Sequence, residues 1–140
     1  TSVVLADNHI SEVGARSLAN ALTINNTITS LDLSSNNVGD RGARILAGAL
    51  TVNPSLVTLN LSSNGLGQMG INSFVDTFKL NPTLTSFDLS NNRLNQVSVL
   101  LRVNPSIRSL YCQSNRIGME DARELAGVIE SHPCICHKST

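Results

Sequence analysis

The stretch Ile28–Ser55 reads ITSLDLSSNNVGDRGARILAGALTVNPS, and its pattern recurs through the rest of the chain. The next stretch, 56–83, reads LVTLNLSSNGLGQMGINSFVDTFKLNPT and restores the leucines and the asparagine 28 residues later. Further copies begin at Leu84 and, after a shorter gap, at Ile107, and an incomplete copy leads the chain. A repeat of this length predicts a solenoid, because no unit buries its apolar face alone and each must stack on its neighbours.

Two periodicities follow each other inside every unit. Leu31 and Leu33 alternate with polar residues, as in a strand with one buried face. Ala43, Leu46 and Leu50 then recur at spacings of three and four, which is one stripe of a helix. The predicted fold class is therefore α/β: a right-handed solenoid of about five repeats, with a curved parallel sheet on the concave face and helices on the convex face.

The pattern LxxLxLxxNxxG, followed by a helix of the form GAxxLAxAL, resembles the leucine-rich repeat, and the long unit with a full helix resembles its ribonuclease-inhibitor-like type. The resemblance covers nearly the whole chain and implies a curved scaffold of the kind that mostly binds other proteins. Residues 1–140 are predicted to be one leucine-rich repeat domain. Its repeats are placed at about 1–27, 28–55, 56–83, 84–106 and 107–134, with a tail at 135–140.

Composition limits the classes of partner. Ten basic and ten acidic side chains cancel, so no overall field recruits nucleic acid, and no apolar run approaches the length of a membrane span. Three cysteines, an odd number, favour reduced thiols and a cytoplasmic location. Thr1 aligns with Thr29 in mid-pattern, so we expect a segment of a larger protein, with self-association through uncapped solenoid ends as a further expectation.

The fourth and fifth units and the ends of the strands each carry a specific structural prediction. The fourth unit is short, because Leu89 and Cys112 are 23 residues apart where other units have 28, so about one helical turn is missing between Leu94 and Leu101. The fifth unit regains the full pattern, and the repeat is predicted to stop after it because Lys138 falls where a buried leucine belongs. A column of asparagines at the strand ends is predicted to bind the backbone of neighbouring turns: Asn8, Asn36, Asn64, Asn92 and Asn115.

One motif imitates a dinucleotide site. Gly65–Gly70 reads GLGQMG, and Asp88 follows at about the distance of a ribose-binding acid. The repeat accounts for most of it, since Gly67 and Gly70 recur from the preceding unit, where Asp40 is the predicted cap of the helix. No cofactor is predicted.

The C-terminal HPCICH, residues 132–137, offers imidazoles and thiolates, but its CxC spacing is tighter than that of structural zinc sites. No metal is predicted there, and a frayed tail or simple cap is the preferred interpretation. The serines occupy repeat positions, and no GxSxG elbow or converging acid and base appears. No enzyme is predicted.

The candidate site is the strand face. Its predicted central column runs through Val4, Asp32, Asn60, Asp88 and Tyr111, and Gln113 flanks the tyrosine. Tyr111 is a rigid aromatic of the kind that anchors interfaces. Arg93 and Arg116 hold equivalent loop positions, and Ser90–Met119 contains four arginines and no acidic residue.

The preferred function is a protein–protein interaction module, with a partner whose acidic segment docks across the fourth and fifth units. A solvated face with one chance tyrosine is the plain alternative for this surface. Two other functions remain open at this point: a GTPase-activating or other GTPase-regulatory protein, since some leucine-rich repeat proteins have that role, and an architectural segment of a larger assembly. No residue is matched to GTPase regulation.

Overall fold

The computed structural model describes residues 1–131 and, as backbone only, residues 135–137. Six short strands form one parallel sheet in chain order, and each strand pairs with its sequence neighbours. The strands are β1 Ser2–Val4, β2 Ser30–Asp32, β3 Thr58–Asn60, β4 Ser86–Asp88, β5 Ser109–Tyr111 and β6 Ile135–His137. The predicted solenoid is confirmed.

A helix follows each of the first five strands. The helices are α1 Glu12–Ile24, α2 Gly39–Leu50, α3 Gln68–Leu80, α4 Ser98–Val103 and α5 Met119–Ser131. Every strand from β2 to β5 buries its middle residue and leaves its first and third half-buried. The two-residue period thus separates a core face from a face that points away from the helices.

Three phenylalanines pack together where the third and fourth units meet. Phe74 and Phe78 of α3 contact Phe87 of β4, and the three ring centroids are 4.9–5.8 Å apart. Tilted and edge-on rings at this separation contribute about 0.5–1.5 kcal/mol per pair beyond burial. This cluster therefore stabilises the contact between the two units.

The asparagine column binds backbone as predicted. Asn92 is buried, and its amide donates to three carbonyl oxygens while its Oδ1 accepts from the amides of Asn64 and Leu66. Asn36, Asn64 and Asn115 make similar bonds across units. Each of these four asparagines pairs loop backbone that would otherwise be buried without a partner. The prediction is wrong for Asn8, which is exposed and donates only to the carbonyls of Leu5 and Ala6 in its own turn.

A second asparagine column, at the helix ends, was not predicted. Asn53 donates to the carbonyls of Leu22 and Asn25 in the preceding unit, and its Oδ1 accepts from the amides of Ser55 and Leu56. Asn25, Asn81 and Asn104 repeat parts of this arrangement. Asn53, Asn81 and Asn104 are each followed by proline, but Asn25 makes the same local bonds without one.

The fourth unit has the predicted shortened helix. Its helix α4 contains only six residues, whereas α1, α3 and α5 contain 13. Its N-terminus is completed from the next helix, because the buried Asp121 of α5 accepts from the amides of Val97 and Ser98. The short helix thus depends on its neighbour for capping.

The end of the solenoid differs from the prediction in two ways. Of the expected α5 stripe only Leu125 is buried; Ala122 is half-buried, and Ala126 and Ile129 are exposed, because no further described helix covers them. The segment 135–137 was predicted to be a tail, yet its backbone pairs with β5 as a sixth strand. A parallel edge offers backbone donors and acceptors regardless of side chain, so it takes another strand even where the leucine pattern ends.

Candidate functional site

The predicted central column is a continuous line on the strand face. Parallel register places Val4 beside Asp32, Asp32 beside Asn60, Asn60 beside Asp88, and Asp88 beside Tyr111. Neighbouring strands are about 4.8 Å apart, so the two aspartates are separated by roughly 10 Å with Asn60 between them. From Asp32 to Tyr111 the line therefore passes from carboxylate to amide to carboxylate to phenol, and the backbone of β6 pairs beyond it.

Three members of the column also brace the backbone. The Oδ1 atoms of Asp32, Asn60 and Asp88 each accept a hydrogen bond, at 2.9 Å, from the amide two residues ahead. The Ser90 hydroxyl donates to the same oxygen of Asp88 at 2.5 Å. Each of these residues therefore stabilises the bend where its strand ends.

Tyr111 is the one aromatic residue of this chain outside the core. The sequence has one tyrosine, three phenylalanines and no tryptophan, and all three phenylalanines are buried. Tyr111 is half-buried on the strand face, in the strand next to β6. A large, rigid and amphipathic side chain at such a place is typical of interface anchors.

Gln113 adds a polar feature that its sequence position did not reveal. Its side-chain Oε1 is buried and has no hydrogen-bond partner within the described residues. A buried acceptor without a donor costs about 1–3 kcal/mol. The sequence flagged the residue only as a neighbour of Tyr111.

The structure brings two of the four arginines together. Arg93 and Arg116 lie in adjacent units, in the loops that follow β4 and β5. The backbone amide of Arg93 donates to the carbonyl of Leu66, and that of Arg116 donates equivalently to the carbonyl of Leu94. Arg102 lies on α4 and pairs with Glu124 at 3.0 Å. Arg108 precedes β5, so it lies at the opposite strand end. The predicted basic end is therefore smaller than the sequence interval indicates.

The surface beside Arg116 carries both positive and negative side chains. Arg116 lines an open groove of about 330 Å³ together with Glu120 and Asp121 of α5. The carboxylate of Asp121 already accepts hydrogen bonds from the amides at the start of α4. The exposed Glu120 is therefore the acidic residue of this groove that remains available to Arg116. Steering by the arginine pair thus depends mainly on Arg93.

The glycine motif has a structural explanation. Gly67 precedes α3, and its amide donates to Oδ1 of Asp40 at 2.7 Å. A Cβ on Gly70 would lie 2.6 Å from the same oxygen. Asp40 therefore caps α3 and not its own helix, which corrects the prediction, and its carboxylate occupies the place that a phosphate would need.

The C-terminal segment HPCICH, where no metal was predicted, lies outside the described residues, apart from the backbone of 135–137. In the part of the chain whose side chains are described, no group of three or more histidine, cysteine or acidic residues could hold a metal ion. The same part contains no helix with the length and apolar character needed to span a bilayer. Cys112 is buried at the strand position where other units have leucine.

Comparison with known proteins agrees with the fold. The family model described as Leucine Rich repeat matches residues 25–47, 52–74 and 80–98. Comparison with curated proteins gives no match.

Two solved structures are similar in shape. One is the actin-binding site 2 of leiomodin-1, with a TM-score of 0.74 and 19% identity over 94% of this chain and 82% of that one. Another is the C-terminal domain of Caenorhabditis elegans tropomodulin, with a TM-score of 0.72 and 21% identity over 93% of this chain and 82% of that one. At this identity the likeness establishes the fold alone. The repeat pattern, the strand and helix order and the family match agree: the chain is a leucine-rich repeat protein.

Proposed function

We propose that this chain is a cytoplasmic protein-interaction module of the ribonuclease-inhibitor-like type, which binds another protein on its concave strand face. The observation that carries the proposal is the column that contains Tyr111, the one aromatic side chain outside the core. Helices of 12–13 residues in units of 28 support the subtype.

The contact is proposed to centre on the fourth and fifth units. Tyr111 supplies apolar area to this contact. Asp32, Asn60 and Asp88 extend the contact along the column with polar groups held in place by their backbone bonds. Their rigidity reduces the entropy lost on association.

Arg93 and Arg116 are proposed to steer an acidic segment of the partner to this end of the face. Both side chains are exposed, so they act mainly on the rate of encounter and lose effect as salt rises. Glu120 beside Arg116 weakens the local field, which makes Arg93 the more effective of the two. Arg93→Glu should therefore slow association more than Arg116→Glu.

The experiment compares three immobilised forms of the full chain as baits for cell extract: the parent, Tyr111→Ala, and Met69→Ala as a control. Met69 is an exposed apolar residue on α3, in the other layer. A specific partner should bind the parent and the control and weaken at least about fivefold on Tyr111→Ala, since anchor truncations cost more than 1 kcal/mol. Actin is a defined protein to include, because one similar structure is an actin-binding site.

The proposal fails if every retained protein binds Tyr111→Ala as it binds the parent. No observation on the described residues specifically supports GTPase regulation or an architectural role. A GTP-hydrolysis assay with small GTPases tests the regulatory role. Light scattering of the isolated chain tests self-association at its ends, which an architectural role would use.

A further inference from the structure

A row of exposed aliphatic side chains runs along the ends of the helices. Ile24, Val52 and Leu80 hold the same repeat position, 28 residues apart, and are 86%, 63% and 68% exposed. Val103 continues the row at the end of α4, where it is half-buried against the core. Single exposed aliphatics are ordinary, but a row at one position of successive units forms a surface. We call Ile24, Val52 and Leu80 the aliphatic stripe.

Grooves lie on both sides of Leu80. One, of about 290 Å³, runs between the ends of α3 and α4 and is lined by Lys79, Pro82 and Val103. The other, of about 410 Å³, lies between α2 and α3 and is lined by Arg44, Thr51 and Asp76. Leu80 is a wall of both. The stripe is thus bordered by space for side chains of a second molecule.

The spacing of the stripe matches a helix. Packed helices are about 8–10 Å apart, so consecutive members of the stripe are separated by about that distance. Seven residues of an α-helix rise about 10.5 Å, whereas same-face residues of a strand fall at about 6.6 and 13 Å. An amphipathic helix with aliphatic residues every seven positions therefore meets successive members, and a strand does not.

The charges beside the stripe favour an acidic partner. Lys79 is neutralised by Asp76 at 3.0 Å, and Arg102 by Glu124 at 3.0 Å. Arg44 lines the groove beside Leu80 and has no ion pair within the described residues, so this border carries a net positive charge. The helix that best complements it has glutamate or aspartate beside its aliphatic positions.

We propose that the aliphatic stripe is a second docking surface, separate from the strand face, and that it binds an amphipathic helix of another protein with a heptad row of aliphatic residues flanked by acidic ones. Binding lays the helix across α1, α2 and α3. Its aliphatic residues cover Ile24, Val52 and Leu80, and side chains beside Leu80 enter the two grooves.

The test uses the full chain and a synthetic helix as probe. The peptide has about 21 residues, an alanine background, leucines seven apart and glutamates beside them; its partner peptides carry lysine instead of glutamate, or the same residues in scrambled order. The triple variant Ile24→Ser, Val52→Ser, Leu80→Ser removes the stripe. The matched control is Val13→Ser, Met69→Ser, which replaces aliphatics of 74% and 79% exposure elsewhere on the helices. Circular dichroism and urea unfolding verify that both variants fold.

The expected result is that the parent and the control bind the glutamate peptide, the stripe variant binds it at least about tenfold more weakly, and the lysine peptide binds more weakly than the glutamate peptide. Tyr111→Ala should bind the peptide like the parent, which separates this surface from the strand face. The proposal is overturned if the parent fails to bind at about millimolar peptide, if the stripe and control variants lose equal affinity, or if lysine and glutamate peptides bind alike. It is also overturned if the stripe instead joins two copies of this chain, seen as concentration-dependent dimers that the stripe variant abolishes.

Discussion

Replacement of Asn92 by alanine removes the most connected side chain of the asparagine column. Its amide donates to the carbonyls of Leu61, Leu89 and Ser90 at 3.0–3.1 Å. Its Oδ1 accepts from the amides of Asn64 at 3.1 Å and Leu66 at 2.9 Å. The bonds join the third and fourth units, so their loss weakens a boundary between repeats and not one turn alone.

The expected cost follows from the groups left behind. A buried donor or acceptor that loses its partner costs about 1–3 kcal/mol, and two amides lose Oδ1 in this variant. Water entering the space left by the side chain recovers part of that cost. We therefore expect Asn92→Ala to lower the free energy of unfolding by about 2–4 kcal/mol.

Asn8 provides the matched control. It holds the same repeat position, but it is exposed and bonds only to the carbonyls of Leu5 and Ala6 in its own turn. Asn8→Ala should therefore cost less than about 1 kcal/mol, since water replaces both bonds. Urea unfolding followed by circular dichroism measures both variants. Equal costs for the two, or a change below about 0.5 kcal/mol for Asn92→Ala, would refute the reasoning that burial and cross-unit bonding decide the effect.

Three further outcomes are expected. Leu59→Ala, at a fully buried mid-strand position, should lower stability by about 2–5 kcal/mol in urea unfolding, and a loss below about 0.5 kcal/mol would show that the buried register is misassigned. Amide hydrogen exchange should be faster in α4, with its six residues, than in α2 and α3, because a short helix has fewer packed contacts; uniform protection would contradict this. Gly70→Ala should cost about 1–3 kcal/mol, since its Cβ would lie 2.6 Å from the Asp40 carboxylate, whereas Gly48→Ala, with open space around it, should be neutral or slightly stabilising.

Features that belong to one repeat position were predictable from the sequence. The mid-strand leucines, the asparagine column at the strand ends and the shortened fourth helix all follow from comparing units, because equivalent residues occupy equivalent places in a solenoid. The same comparison placed Asp32, Asn60, Asp88 and Tyr111 in one line, and the strand register agrees.

Features that depend on contacts between units were not predictable in this way. Asp40 stands where a residue normally caps its own helix, but its carboxylate reaches Gly67 of the next unit. Arg102 lies in a stretch without acids, yet Glu124 approaches it from α5. Helix packing decides which side chains meet, and linear spacing does not report it.

The ends of the solenoid show the same limit. The repeat pattern of α5 predicts a buried stripe, but burial also requires a neighbouring helix. The described residues contain no helix after α5, and Ile129 is exposed. The sixth strand forms through backbone pairing with β5, although Lys138 breaks the leucine pattern. Side-chain patterns therefore predict the interior of a solenoid better than its edges.

The most direct test of binding on the strand face is site-specific photocrosslinking of a captured partner. A benzophenone side chain is placed at position 111 in one sample and at position 69 in another, and the adducts are identified by mass spectrometry. Both positions tolerate a large ring, because Tyr111 is an aromatic residue of the strand face and Met69 is exposed on α3. The partner should crosslink from position 111 and not from position 69. Adducts from position 69 alone would show that the partner contacts the helix layer and would contradict a binding site on the strands.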